Sequence, residues 1–162
     1  MTTVDRAAVQ YQQVLRSLGA YLDHEGAEQI SILETSAGFA LRYQRAGAEE
    51  MVLRKFRMAE LPVTRGASAG AWGHGRASSY EDFLRALGHE LEEEGAWSIL
   101  LDELENSYLL SYHYLDPRTM YHPIKRRLHL GPDEQGMIVE YAHSRRSGSV
   151  GERGGLFGWL FG

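Results

Sequence analysis

The sequence contains no cysteine, which removes disulfide frameworks, thiolate zinc sites and cysteine nucleophiles together. It holds only 4 prolines in 162 residues. No apolar run approaches the roughly 20 residues that a membrane-spanning helix needs. The opening segment, MTTVDRAAVQYQQ, has no apolar signal-peptide core, so the cytoplasm is the expected compartment. Lysine is nearly absent, with 15 arginines to 2 lysines, a bias that fits a GC-rich genome better than a function. What remains is an ordinary globular mix, 43% hydrophobic and 24% charged, long enough to bury about two thirds of the unfolded surface without a covalent or metal staple.

The net charge of −5 favours solubility and disfavours a dedicated nucleic-acid binder. It is unevenly spread. Residues 79–105 carry nine acids against one arginine, whereas residues 39–65 and 117–153 each carry a surplus of three cations. Such a chain can present opposite signs on different surfaces and so orient a partner or a second copy.

The most informative feature is a recurrence. Residues 11–27 read YQQVLRSLGAYLDHEGA and residues 80–96 read YEDFLRALGHELEEEGA, identical at nine of 17 positions at an offset of 69 residues. The correspondence continues downstream, pairing Ile30 with Ile99, Glu34 with Glu103, Leu41 with Leu110 and Tyr43 with Tyr112. An internal duplication is the expected origin. Each copy opens with a helix: Val4, Ala8, Tyr11, Leu15, Leu18 and Leu22 fall on one face, as do Tyr80, Phe83, Leu84, Leu87 and Leu91. Ser78 and Glu81 have the form of a capping box, so the second helix should begin near Ser79. Gly26 and Gly95 stand where left-handed residues would end the helices. Gly19 and Gly88, interior to the helices, each cost about 1 kcal/mol relative to alanine. Their recurrence implies a close approach there, either of the other helix or of a second copy; inheritance without use is the alternative.

After each helix the apolar period changes to two. Strands are expected over residues 28–35, 39–45 and 51–57 in the first copy and 97–104, 108–115 and 124–130 in the second. The motif GPDEQG at 131–136 reads as a turn and 137–143 as a returning last strand. The expected fold class is α+β: two helix-plus-antiparallel-meander units, with both helices packed on one face of a single antiparallel sheet. The other face, carrying Arg42, Gln44 and their neighbours, would be wet or paired with another subunit. The order of elements over residues 4–143 resembles the type III secretion chaperone fold, which runs helix, three strands, helix, strands. That resemblance implies a small acidic dimer that binds other proteins. The absence of a clear final helix is where this sequence departs from it.

Residues 59–78 are rich in glycine, alanine and serine and read as a flexible linker, with Trp72 and His74 its unusual members. Residues 144–155 form a polar spacer before LFGWLFG, so Leu156, Phe157, Trp159, Leu160 and Phe161 make an apolar tip on a tether. A solvated tail has no reason to carry five large apolar side chains. It either docks at home, is read by a partner, or touches a membrane surface with help from Arg145, Arg146 and Arg153. Aromatic anchors are typical of protein interfaces, which favours the partner.

No HExxH or HxH pair offers two metal ligands, and no Gly-Lys-Ser/Thr follows the linker glycines. His113 and His122 flank a stretch holding Tyr114, Asp116 and Tyr121, from which an acid–base site could be assembled, although any tyrosine-rich strand end looks alike. No catalytic, metal or cofactor residue is assigned. The acidic run 90–94 ends the second helix, where its dipole disfavours negative charge. It reads as a solvated face or as a docking surface for a basic segment, either Lys125, Arg126 and Arg127 or the tail arginines of another copy. The expected organisation is one domain over residues 1–143, made of repeats 4–58 and 79–143 joined by linker 59–78, followed by tail 144–162. The expected function is a non-enzymatic protein-binding adaptor or chaperone-like module, with the tail as a recognition peptide. Docking or self-association, including a homodimer, would involve Gly19, Gly88, Glu92, Glu93, Arg126 and Arg127. The competing reading is a single-stranded nucleic-acid binder using Arg42 beside Tyr43, the run 54–57, and Lys125, Arg126 and Arg127.

Overall fold

The computed structural model describes residues 10–60 and 79–146. Helix α1 (Tyr11–His24) leads into strands β1 (Ala27–Glu34), β2 (Gly38–Arg45) and β3 (Met51–Arg57), with a 3-10 turn at Met58–Glu60. Helix α2 (Tyr80–Glu94) leads into β4 (Trp97–Glu103), β5 (Tyr108–Asp116) and β6 (His122–Leu130), with a 3-10 turn at Pro117–Thr119 between the last two. Helix α3 (Pro132–Arg146) follows. The protein is thus α+β, and the six strands among the described residues form one antiparallel open sheet in the order β3-β2-β1-β4-β5-β6. No helix among the described residues is long and apolar enough to cross a membrane.

The sheet order places β1 beside β4 at its centre and the hairpin strands outward on either side. Ile30, Ile32, Leu41, Tyr43, Ile99, Leu101, Leu110 and Tyr112 turn to one side and share a core cluster with Leu15, Leu18 and Leu22 of α1 and Leu84, Leu87 and Leu91 of α2. Above that core the two helices nearly touch. A Cβ on Gly19 would stand 2.6 Å from the carbonyl oxygen of Tyr80, and one on Gly88 would stand 2.6 Å from the carbonyl carbon of Tyr11. Each glycine therefore lies against the first residue of the other helix, 69 positions from its counterpart contact. The close approach expected at Gly19 and Gly88 is made within the chain, and both glycines are buried there.

The helix ends hold each other as well. Asp23, near the end of α1, accepts the N–H groups of Tyr80 (3.0 Å) and Glu81 (2.9 Å), while Glu92, near the end of α2, accepts the N–H of Gln12 at 2.8 Å. The first N–H groups of a helix lack partners inside it and carry its positive end, so a carboxylate is well placed there. This resolves the acidic run on α2: Glu92 sits at the wrong end of its own helix and the right end of α1. Ser79 caps α2 by accepting from Asp82 N at 3.1 Å, one residue later than the Ser78 and Glu81 pairing. Gly26 and Gly95 follow the two helices with φ of +65° and +67°.

Two bulges occupy corresponding places. The register slips in β1 between Glu28 and Ser31, where Gln29 has φ +51°, and in β4 between Trp97 and Leu100, where Ser98 has φ +59°. A bulge removes a residue from the ladder and leaves polar groups to satisfy. Here Ile30 N donates to Glu103 Oε1 (3.2 Å) and Ile99 N to Glu34 Oε1 (3.0 Å), and the same oxygens accept the hydroxyls of Tyr80 (2.5 Å) and Tyr11 (2.8 Å). Glu103 is thereby a structural acceptor.

The main correction concerns residues 131–146. The segment expected as a turn and a last strand is helix α3, and it reaches Arg146, past the expected tail boundary. Pro132 stands at its first position, Asp133 and Glu134 in its first turn, and Gly131 N donates to Glu134 Oε1 at 2.9 Å, the return half of a capping box. Ile138 and Ala142, four apart, enter the core, while Met137, Val139 and Tyr141 are half-buried against it. The departure from a three-helix element order is therefore withdrawn. Val4, Ala8, linker residues Trp72 and His74, and all five apolar tail residues lie outside the described residues.

Candidate functional site

Strand alternation sends every second side chain away from the core, and the composition of that outer face is unusual. One row across all six strands runs Lys55, Ala40, Leu33, Leu100, Ser111 and Arg127. The next runs Leu53, Arg42, Ser31, Asp102, Leu109 and His129. Neighbouring strands lie about 4.8 Å apart, so each row spans about 24 Å. Leu33 and Leu109 are each 45% exposed and Leu53 is 58% exposed, with Met51 and Leu115 also open. Covering one half-exposed leucine contributes about 1 kcal/mol, which gives a face with several of them a real tendency to be covered.

Cations frame these leucines. Arg42, Lys55, Arg57, Lys125 and Arg127 make no ion pair among the described residues, whereas Arg16, Arg45, Arg85, Arg118 and Arg126 each have a carboxylate within 4.0 Å. Asp102, the acid in the middle of the face, has Oδ1 engaged by Ser31 Oγ at 2.6 Å. Over β4, β5 and β6 the face dips into a groove of about 360 Å³, with Leu100 and Leu109 as its outward apolar lining, the core residues Leu110 and Leu128 at its base, and Asp102, Ser111, Lys125, Arg127 and His129 around them. His129 Nε2 lies 3.0 Å from Ser107 Oγ.

No protein-family model, curated protein or solved structure matches the chain. Its function is therefore argued from the site alone.

The structure separates residues that adjoin in sequence. Arg126 turns inward, donates to Glu94 Oε1 at 2.8 Å and lies over the Tyr114 ring, 4.5 Å from its centroid; Arg127 turns outward into the groove. Glu92 caps α1, and Glu93 lies 3.8 Å from His89. Tyr43 and Tyr112 are buried on the core side, and Phe56 packs edge-on against Tyr21 there, so these aromatics lie on the face opposite Arg42, Lys55 and Arg127. Tyr112 and Asp116 also fall on the core side while His113 stacks on Trp97 on the outer side, so these residues do not converge. Asp116 instead caps the 3-10 turn through Arg118 N at 2.9 Å. Among the described residues no three histidine, aspartate or glutamate side chains group as metal ligands. The exposed leucines were missed by sequence reasoning because Leu33, Leu53 and Leu109 each adjoin an apolar residue that packs toward the core, Ile32, Val52 and Leu110, and two adjacent apolar residues blur the alternation.

Two polar clusters lock the sheet edges to the helix ends. Glu25 accepts from Arg45 (2.6 Å) and Tyr43 (2.9 Å); Glu94 accepts from Arg126 and from Tyr112 (3.0 Å). Burial alone would raise the Glu25 carboxyl, but the Arg45 and Tyr43 hydrogen bonds and the nearby Arg45 and Arg54 charges override it and hold it below its ordinary value. Burial, reinforced by the hydrogen-bonding carboxylates, raises both tyrosine hydroxyls far above their ordinary range. Since the folded-state pKa of Glu25 is depressed, its contribution to stability is present above the unfolded carboxylate value of about 4.3 and is lost as pH falls through the lower folded value. Urea midpoints of wild type and Glu25→Gln should therefore differ at pH 7 and converge as the pH drops below about 4. A gap that stays constant across that range would contradict the assignment.

Proposed function

We propose that this chain is a non-enzymatic, chaperone-like protein-binding module whose binding surface is the outer face of the sheet. The observation that carries the reading is a face with exposed leucines at its centre and, around them, cations that make no ion pair among the described residues, whereas Arg16, Arg45, Arg85, Arg118 and Arg126 each have a carboxylate. Buried apolar anchors with a polar rim are how protein interfaces gain both affinity and orientation. Single-stranded nucleic acid would need a series of aromatic platforms beside the cations; Tyr43, Phe56 and Tyr112 lie on the other face, and Trp97 on the outer side is stacked on His113.

The same reading takes the chain as two copies of one helix-plus-meander unit, each helix over its own half of the sheet. The sequence recurrence, the reciprocal glycine contacts, the exchanged caps and the paired bulges all support it. Helix α3 brings the element order closer to the type III secretion chaperone resemblance, which adds a homodimer and client-protein binding to the proposal. The tail Leu156, Phe157, Trp159, Leu160 and Phe161 remains proposed as a recognition peptide.

A photo-crosslinking phenylalanine derivative placed at Leu33 or Leu109 tests the surface in cells. Adducts to a defined polypeptide are expected from both positions and not from Glu93, on exposed α2 surface. Adducts to nucleic acid alone, or the same products from Glu93, would move the function elsewhere.

A further inference from the structure

We infer that the β4-β5-β6 groove docks an extended acidic segment of a partner protein, with one large apolar side chain of that segment seated on Leu100 and Leu109. The inference rests on the protein-binding reading and adds the chemistry of the partner and its place on the sheet. The apolar lining accounts for the side chain. Lys125 and Arg127, two apart on β6 and facing the groove, account for the carboxylates, because neither makes an ion pair among the described residues. Asp102, the acid in the groove, accepts Ser31 Oγ on Oδ1, and the two cations Lys125 and Arg127 outnumber it, so the lining keeps a surplus of positive charge. A carboxylate that meets Arg127 beside a leucine-lined recess forms its contact in partly dry surroundings, where charged pairs are stronger than on an open surface. A second copy placed face to face would bring cation against cation across the same rows, which disfavours this chain as its own occupant.

The test uses the full chain and a fluorescent peptide of alternating glutamate and leucine, with two controls: lysine replacing glutamate, and serine replacing leucine. Binding is read by anisotropy at low and moderate salt. The glutamate–leucine peptide should bind, weaken with salt, and lose about tenfold or more in affinity on Arg127→Glu or Leu109→Asp, while Gln13→Glu, exposed on α1, leaves it unchanged. Neither control peptide should bind comparably. Circular dichroism confirms that the exposed substitutions leave the fold intact, and Lys125→Glu provides a second variant if Leu109→Asp does not fold. Equal binding to wild type and groove variants would overturn the groove assignment. No binding by the acidic peptide, with crosslinks to a polypeptide persisting from Leu33, would overturn this inference while leaving the protein-binding reading standing. Loss of both would remove the two together.

Discussion

Gly88→Ala should lower the stability of the fold by about 3 kcal/mol, although alanine is the better helix former by about 1 kcal/mol. The added methyl would stand 2.6 Å from the Tyr11 carbonyl carbon and 2.7 Å from Gln12 Cα. Those are backbone atoms at the start of α1, with no rotamer through which to retreat, so the helices must separate by about 1 Å. Separation stretches the Asp23 and Glu92 caps that cross the same interface. Gly19→Ala should behave alike, since its methyl would meet Tyr80 and Glu81 backbone. Together the two should cost less than the sum, because the first substitution already opens the gap that the second needs. Gly136→Ala supplies the opposite sign: it lies inside α3 with nothing within 4 Å of the added methyl, and should stabilise by about 1 kcal/mol. Urea midpoints decide the matter. If Gly88→Ala and Gly136→Ala shift the midpoint in the same direction, the close helix crossing is not what holds glycine at 88.

The extent to which the sequence revealed these features follows from the range of the forces involved. Helices α1 and α2 and most strands were legible from an apolar period, and β3 from the polar turn that precedes it. The outer face carrying Arg42 and Gln44 was legible for the same reason. Helix α3 was misread because apolar residues at 137, 138, 139, 141 and 142 surround much of the segment, leaving no stripe; strand and helix patterns then look alike. Its Pro132, Asp133 and Glu134 are start signals that the flanking Gly131 and Gly136 made look like a turn. The acidic residues were harder still. Asp23, Glu34, Glu92 and Glu103 each serve a group contributed by the other half of the chain, and no local rule connects residues that far apart. A signal was nevertheless present: Tyr11 with Tyr80, Ile30 with Ile99 and Glu34 with Glu103 recur at the offset of 69, and a polar residue kept in step with a core residue points to a shared buried contact. Of the residues singled out for docking, Arg127 lies in the groove, whereas Gly19, Gly88, Glu92 and Arg126 are engaged inside the chain.

The exchanged carboxylates yield the second large effect, and the identity of each accepting oxygen decides which substitutions are tolerated. Glu103 receives both Tyr80 OH and Ile30 N on the same oxygen, Oε1. Glu103→Gln keeps that oxygen as an amide carbonyl and should cost about 1 kcal/mol or less, the difference between a charged and a neutral acceptor. Glu103→Ala removes the acceptor shared by the buried Tyr80 hydroxyl and the bulge N–H and should cost about 3 kcal/mol. Asp23 divides its work between two oxygens, Oδ1 for Tyr80 N and Oδ2 for Glu81 N, and is 1% exposed. Asp23→Asn can keep only one of these bonds and turns an N–H₂ group toward the positive end of α2, so it should cost about 2 kcal/mol despite being nearly isosteric. The expected order of urea midpoints is therefore wild type, Glu103→Gln, Asp23→Asn, Glu103→Ala. If Glu103→Gln were as damaging as Glu103→Ala, negative charge and not acceptor geometry would be what the bulge requires. If Asp23→Asn were harmless, the cap on α2 would have to come from Ser79 alone. Either way these acids act on groups inside the chain, and among the described residues Arg42, Lys55, Arg57, Lys125 and Arg127 of the open sheet face make no ion pair with them.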